Sequence, residues 1–574
     1  MELSTLDLVI IFGFFAVTLL IGVLVAKKAG KNTSEFFLSG RNMPWWLLGV
    51  SMVATTFAAD TPNLVAGIVR KDGIAGNWVW WAFLLTGMVT VFIYAKLWRK
   101  LGITTDLEYY EIRYKGKAAA FLRGFRAIYL GVFFNIVIMA TVCLAGVKIG
   151  HVMLGLTPFE TLSITGVITV LYSLLGGLKG VILTDFFQFI IAMVGSIWAA
   201  YFIIDMPEIG GMEGLLSNDA VQAKLNFVPT ANDSWDTWVG LLIIPLAVQW
   251  WSVWYPGAEP GGGGYIAQRM LAAKDEKHAT AATLFFNFAH YALRPWPWII
   301  IALASIILFP EIADMKAQFP GLDASLYQDD LAYPAMLTYL PAGLLGLVLA
   351  SLISAFMSTI STHLNWGSSY VVNDFYKRFV NKDASEKNLV LVGRISTAAM
   401  MLLAALLSLV LEQAKEAFDL ILTIGAGTGL LFIIRWFWKA INPYSEITAM
   451  SVSFVVAIFF FICDKTEIIL FSGAEKLLWG VGITTVAWVA VTLLTQNERY
   501  LNPEYEKRAF QGEFKFKNMG YKVLSIFLGC IAIYSALFSL GNYLLGDGMQ
   551  ALYFLIAFII CSGLIASFWK RLFA

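Results

Sequence analysis

The chain has 574 residues, 59% hydrophobic and 14% charged, where a soluble globular chain carries about 25% charged residues. That composition excludes a water-soluble enzyme or binding module and calls for lipid around most of the chain. The formal net charge of +1 gives no reason to expect a nucleic-acid or strongly acidic partner.

A membrane-spanning helix needs about 20 consecutive apolar residues. Fifteen segments meet that need: 6–26, 45–69, 78–98, 127–150, 158–176, 180–204, 237–255, 278–309, 336–372, 388–411, 417–438, 443–463, 475–495, 522–543 and 550–570. With the N-terminus outside, the basic loops "AKKAGKNTSEFFLSGRN", "RKLGITTDLEYYEIRYKGKAAAFLRGFR" and "ERYLNPEYEKRAFQGEFKFKNMGYK" fall inside. The acidic loops 205–236 and 310–332 fall outside, as the positive-inside rule asks. An odd number of crossings then leaves the C-terminus cytoplasmic. The expected location is the plasma or inner membrane, as a multi-pass protein. The first segment lacks a basic leader and is long enough to remain as a span. Cys143, Cys463, Cys530 and Cys561 read as small packing residues. The four histidines lack metal-ligand spacing. No nucleophile elbow, phosphate loop or zinc helix is present, so no enzyme activity is expected.

The second segment, "SMVATTFAADTPNLVAGIV" (51–69), carries Asp60 and Pro62 at mid-depth. Proline cannot donate to the carbonyl four residues back. An ionisable side chain there costs roughly 2.5–3.5 kcal/mol on insertion scales. Such a segment is expected to break its helix for a use. A second interruption, "WWSVWYPGAEPGGGGYIAQRMLAAK" (250–274), follows segment seven and carries Glu259. Segments two and seven head two five-segment groups that run in opposite directions. Paired interrupted helices in inverted halves point to the binding site of a secondary transporter. Segment nine adds "LPAGLLGLVLASLISAFMSTISTHLNWGSSY", where Ala355, Ser358, Thr359 and Thr362 share one helix face with Ser361 on its flank. Hydroxyl oxygens suit an alkali cation that must be released quickly. The other reading of that stripe is tight helix packing.

Four stretches resemble the sodium:solute symporter family in order and spacing. They are "SEFFLSGRNMPWWLLGVSMVATTFAA", "YSLLGGLKGVILTDFFQ", "YIAQRMLAAK" and "LPAGLLGLVLASLISAFMSTISTHLN". The resemblance runs from about residue 5 to 440. It implies an all-α integral membrane protein of about fifteen helices with the leucine-transporter-like five-plus-five inverted repeat. Residues 1–44 then form a leading helix and loop, 45–204 the first repeat, 205–440 the second and 441–574 additional C-terminal helices. The resemblance further implies a main sodium site built from the carbonyls of Ala54, Phe57 and Ala355 and the hydroxyls of Ser358 and Thr359. Asp185, Ser361 and Thr362, sharing Ser358, resemble the second sodium site of some members. Asp60 and Thr61 stand where sugar-transporting relatives meet the solute, and Arg294 stands at their solute-facing lysine. Arg294 needs a partner, and Asp60 and Glu259 are the candidates.

The expected solute-binding set is Thr56, Asp60, Thr61, Trp81, Trp254, Glu259 and Arg294. "NWVWWAFLL" stands where sugar transporters place a glutamate, and "YPGAEPGGGG" is longer than the family's turn. The expected function is sodium-driven import of a sugar or polyol by alternating access. An organic acid or zwitterion is the alternative solute. A transporter-like sensor would be a different class and would need a signalling domain. The expected partners are the solute, Na+ and the lipid bilayer, with no nucleic acid and no obligate protein partner.

Overall fold

A computed structural model describes residues 3–56, 58–253, 259–320, 327–410, 424–495, 500–507 and 518–573. Among these, eleven helices are long and apolar enough to cross a membrane, and no sheet forms. The first, α1 (Thr5–Ala29), is followed by the short α2 (Trp45–Thr55) and α3 (Thr61–Asp72). Together α2 and α3 occupy the expected second segment, with the helix interrupted between them. Pro62 falls in the first turn of α3, where its missing N–H costs nothing. The Ala58 N–H donates to Thr61 Oγ1 at 3.1 Å, which closes the turn.

Next come α4 (Ile74–Leu101), α5 (Lys117–His151) and α6 (Pro158–Ile204). α6 holds two expected segments in one run, bent at Gly177 with φ 51° and ψ −157°. A side chain there is strained, and a Cβ would lie 2.7 Å from the Phe36 carbonyl oxygen. The seventh segment is helical over 235–247 and turns through 249–251. The chain re-forms a helix at α7 (Gly264–Ala272). Gly261 and Gly262, with φ of 84° and 82°, take a path that L side chains rarely adopt.

α8 (Glu276–Leu308) and α9 (Leu344–Val380) complete the core. The expected start of the ninth segment at 336 is corrected to 344. Residues 332–337 form a separate short helix, and the chain turns at Gly343 with φ 86°. The N–H groups of Gly343 and Gly346 both donate to Asp7 Oδ1 of α1 at 2.7 Å. The free donors of the α9 N-terminus are thus met by a carboxylate, which also suits the helix dipole. α10 (Glu386–Val410), α11 (Gly429–Ile434), α12 (Pro443–Thr466), α13 (Gly473–Thr495), α14 (Met519–Leu544) and α15 (Gly548–Phe573) follow. Residues 417–423 of the expected eleventh segment lie outside the described residues.

α9 is the most enclosed span: α6, α1, α5 and α10 pack around it. α14 and α15 pack chiefly on each other and expose apolar side chains such as Ile531, Tyr553 and Ile559, as lipid-facing helices do.

Gly177→Val is expected to destabilise the fold by about 1–3 kcal/mol through backbone strain alone. A lower melting temperature in detergent, read by fluorescence-detected size exclusion, checks it; an unchanged value would show that the bend tolerates a side chain.

Candidate functional site

Where α2 ends, its last carbonyls have no partner in the helix. α9 passes beside this end. Thr359 Oγ1 donates to the Ala355 carbonyl at 3.1 Å and lies 3.4 Å from the Thr55 carbonyl. Ala54, Ala355, Ser358 and Thr359 are all buried. Carbonyl and hydroxyl oxygens from two helices therefore converge, a donor set suited to a hard monovalent cation. Phe57 lies outside the described residues.

Beside these oxygens, a fully buried charge pair forms. Ser358 Oγ donates to Asp185 Oδ1 at 2.6 Å, and Ser51 Oγ donates to Oδ2 at 2.5 Å. The Arg269 guanidinium of α7 approaches Asp185 Oδ2 to 3.7 Å and donates to Ser51 Oγ at 3.2 Å. Ser51 thus accepts from the cation and donates to the anion. Arg269 Nη2 also donates to Thr362 Oγ1 at 2.6 Å and Thr55 Oγ1 at 3.1 Å. Ser361 turns elsewhere, donating to the Ser358 carbonyl at 3.1 Å. Of the four residues expected to hold a second sodium, Ser358 bonds Asp185 directly and Thr362 reaches it through Arg269, so the positive charge beside Asp185 is that of Arg269. Arg269, Ser51 and Thr55 were not among the expected site residues. The sign that points to Arg269 is its place in "YIAQRMLAAK".

Beside this cluster lies a cavity of about 270 Å³, near the lower edge of the usual range for small-molecule sites, about 300–1,000 Å³. Two π-helical turns, Thr90–Tyr94 and Ala289–Leu293, shape its sides. In the second, the Arg294 N–H reaches back five residues to the Ala289 carbonyl at 3.1 Å. That wide turn brings His290, Tyr291 and Arg294 all to the cavity. Arg294 Nη1 donates to the Val53 carbonyl at 3.2 Å and to Thr56 Oγ1 at 3.4 Å. Thr56 Oγ1 lies 3.1 Å from His290 Nδ1. The α8 arginine is therefore tied to the broken end of α2.

Of the expected solute residues, Thr56, Thr61, Glu259 and Arg294 line the cavity. Asp60 is exposed at the start of α3 and is not among the lining residues. Trp254 lies outside the described residues. Trp81 is a correction. It is fully buried, packs on Trp78, Trp80 and Phe538, and is not among the cavity-lining residues. Its neighbour Trp80 lines the cavity instead and stacks on Tyr291, with ring centroids 5.9 Å apart and planes at 21°. Successive residues on a helix point about 100° apart, so two adjacent tryptophans face different surroundings. Glu259 is a second correction, to its pairing: its carboxylate meets Arg126 of α5, not Arg294.

That ion pair belongs to a buried polar layer at one end of the cavity. Asp106 accepts from the Tyr370 hydroxyl at 2.5 Å and from the N–H of Gly264, the first residue of α7, at 3.0 Å. Burial raises the Asp106 carboxyl to about 6, and the negative charge of Glu259 adds to the rise; the hydrogen bonds and Arg126 oppose it. Among the described residues, no group of three or more His, Cys, Asp or Glu side chains could hold a metal ion.

A profile of the sodium:solute symporter family matches residues 36–452. The chain belongs to that family. The symporter is 25% identical over 480 residues to the sodium/glucose cotransporter of Vibrio parahaemolyticus, covering 80% of this chain and 85% of that one. It is 27% identical over 496 residues to the sodium/myo-inositol cotransporter of Mus musculus, covering 79% and 66%. A solved Na+-coupled sialic acid symporter in a substrate-bound outward-open state superposes with a TM-score of 0.71. The two are 21% identical, over 87% of this chain and 99% of that one. The likeness shows the fold, the leucine-transporter-like architecture. Membership of the family, with the eleven long apolar helices, makes the symporter a multi-pass membrane transporter rather than an enzyme.

Two outcomes are expected. Arg269→Ala leaves the Asp185 carboxylate buried without its cation and should cost about 3–5 kcal/mol, much of it restored in the Arg269→Ala/Asp185→Asn double variant. Melting temperatures of the three proteins check this; equal values for the single and double variants would remove the coupling. The second outcome concerns Asp106. The unfolded chain gives up this proton near 3.8 and the folded chain near 6. Ionising Asp106 therefore costs stability progressively between about pH 4 and pH 6, with the full cost above that window. Asp106→Asn should gain on the wild type as pH rises through it, in a pH series of melting temperatures.

Proposed function

We propose that the symporter imports a small polyhydroxylated solute, a sugar or polyol, across the plasma or inner membrane together with sodium. The observation that carries this reading is the cavity wall. Trp80 stacked on Tyr291 offers a flat aromatic face, and Thr56, His290 and Arg294 border it with hydrogen-bonding groups. A sugar ring has the same two-sided character: C–H faces that pack on aromatic rings and hydroxyl edges that need partners. The names of the sodium/glucose and sodium/myo-inositol relatives support the same class.

In this reading sodium is held by the carbonyls of Ala54, Phe57 and Ala355 and the hydroxyls of Ser358 and Thr359. Its inward movement supplies about 2.3 kcal/mol per charge per 100 mV, plus the concentration term. One bundle of helices rocks against another around this depth, with 45–204 and 205–440 as the two inverted repeats, the N-terminus outside and the C-terminus in the cytoplasm. Thr61 meets the solute at the break, with Asp60 beside it at the start of α3. A second sodium at Asp185, Ser358, Ser361 and Thr362 requires Arg269 to release Asp185 first, since one carboxylate cannot neutralise both cations. One specific observation favours a second reading of the solute: Arg294 borders the cavity with a guanidinium that suits a carboxylate. An organic acid or zwitterion is then the cargo.

Purified protein in liposomes is expected to accumulate labelled D-glucose or myo-inositol only under an inward sodium gradient. Uptake of a carboxylate solute, with neither of these two taken up, would replace the leading reading by the second. Ser358→Ala and Thr359→Ala should each raise the half-saturating sodium concentration about tenfold, the equivalent of ~1.4 kcal/mol per lost ligand, with little change in the solute KM at saturating sodium. Unchanged sodium activation in both variants would count against this ion site.

A further inference from the structure

Two buried atoms on uncharged side chains that line the cavity have no hydrogen-bond partner among the described residues. Asn287 of α8 is 1% exposed, and its Nδ2 donates to the Thr283 carbonyl at 2.8 Å. Its Oδ1 has no hydrogen-bond partner among the described residues. Thr86 Oγ1 of α4 is likewise buried without a partner among them. Both residues line the cavity, as does Gly87, which follows Thr86 in the chain. A Cβ on Gly87 would stand 1.9 Å from Asn287 Oδ1, so the amide oxygen rests against bare glycine backbone. Turning the amide over would not hide the oxygen. It would face the Thr283 carbonyl, bringing two acceptors together. The neighbouring lining residues Phe83, Phe286 and Ile266 offer no hydrogen bonds.

We infer that Asn287 and Thr86 form a subsite that reads one hydroxyl of the transported solute. This rests on the cavity being the solute site. Asn287 Oδ1 can only accept, so it selects a solute group that donates. Thr86 Oγ1 can donate back to the oxygen of that same group. A hydroxyl satisfies both atoms at once. An ether or carboxylate oxygen offers Asn287 nothing and places acceptor against acceptor. A solute lacking this hydroxyl leaves a buried acceptor unmet, the situation in which binding sites discriminate most strongly. Gly87 is the sequence feature that makes room: any side chain there displaces the amide.

The test uses the full chain in proteoliposomes with an inward sodium gradient. The probes are D-glucose, myo-inositol and the monodeoxy analogues of whichever is taken up. For the wild type, one monodeoxy analogue is expected to show a KM at least about tenfold above its parent. Asn287→Ala and the near-isosteric Thr86→Val should raise the parent KM by a similar factor. Both should bring parent and that analogue to within about twofold of each other, while half-saturating sodium is unchanged. Thr86→Ser should keep the wild-type preference. Thr86→Val retains the shape of the wall, so it answers even where Asn287→Ala lowers the melting temperature. Variants that keep the wild-type KM, or that still reject the same analogue, would overturn the subsite while leaving the transport reading intact. Absence of sodium-dependent uptake of either parent by the wild type would overturn the transport reading, and the subsite with it.

Discussion

A guanidinium with no contact with water, that of Arg269, must be answered entirely by protein. Its partners are drawn from four helices: Ser51 and Thr55 from α2, Asp185 from α6, Thr362 from α9, and the carbonyl of Tyr265 from its own α7 at 3.4 Å. An isolated charge at this depth would be prohibitive. The elements that supply those oxygens are therefore fixed relative to one another, and the end of α2 is held against α9. The oxygen cluster around Thr359 and the cavity beside it both inherit their shape from that arrangement.

The same demand for internal partners explains the irregular backbone. Hydrocarbon offers no hydrogen bonds, so helices depart from regularity only where the protein can meet what is released. At the α2–α3 break, Thr61 answers the Ala58 N–H. At the α8 π turn, Arg294 answers the Val53 carbonyl. At the glycine-rich turn, Trp98 Nε1 donates to the Gly261 carbonyl at 2.8 Å. These irregular places border the cavity or the oxygen cluster, because the same departures that free backbone groups also make space.

Features carried by backbone chemistry were legible in the sequence. Pro62 and the glycines of 261–264 marked the two interruptions, and the small-residue stripe of α9 marked the helix beside the break. The side-chain partners were less legible. Asp60 and Glu259 were both expected near Arg294, since each is a lone acid in an apolar run. Arg126 lay in a stretch that reads as a basic loop, yet α5 begins ten residues earlier than the apolar pattern, at Lys117 instead of 127, and carries Arg126 inward to Glu259. The choice between Trp80 and Trp81 depends on helix phase, and the phase is set by turns at Trp78–Trp81 that no periodicity announces. Asn287 and Thr86 sit in ordinary amphipathic sequence, and only Gly87 packing against the amide singles them out.

The bond from Asp7 to the start of α9 has a mechanical meaning. α1 precedes the expected repeats and would pass for a peripheral helix. Yet one oxygen of Asp7 receives the N–H groups of both Gly343 and Gly346, while the other is held by the Ser4 hydroxyl at 2.6 Å. α1 also packs along α6. A rearrangement that displaces α9 along its axis must drag α1 with it or strip a buried carboxylate of its donors. The moving parts of such a machine are thus defined by who shares hydrogen bonds rather than by repeat membership, and by that measure α1 travels with α9.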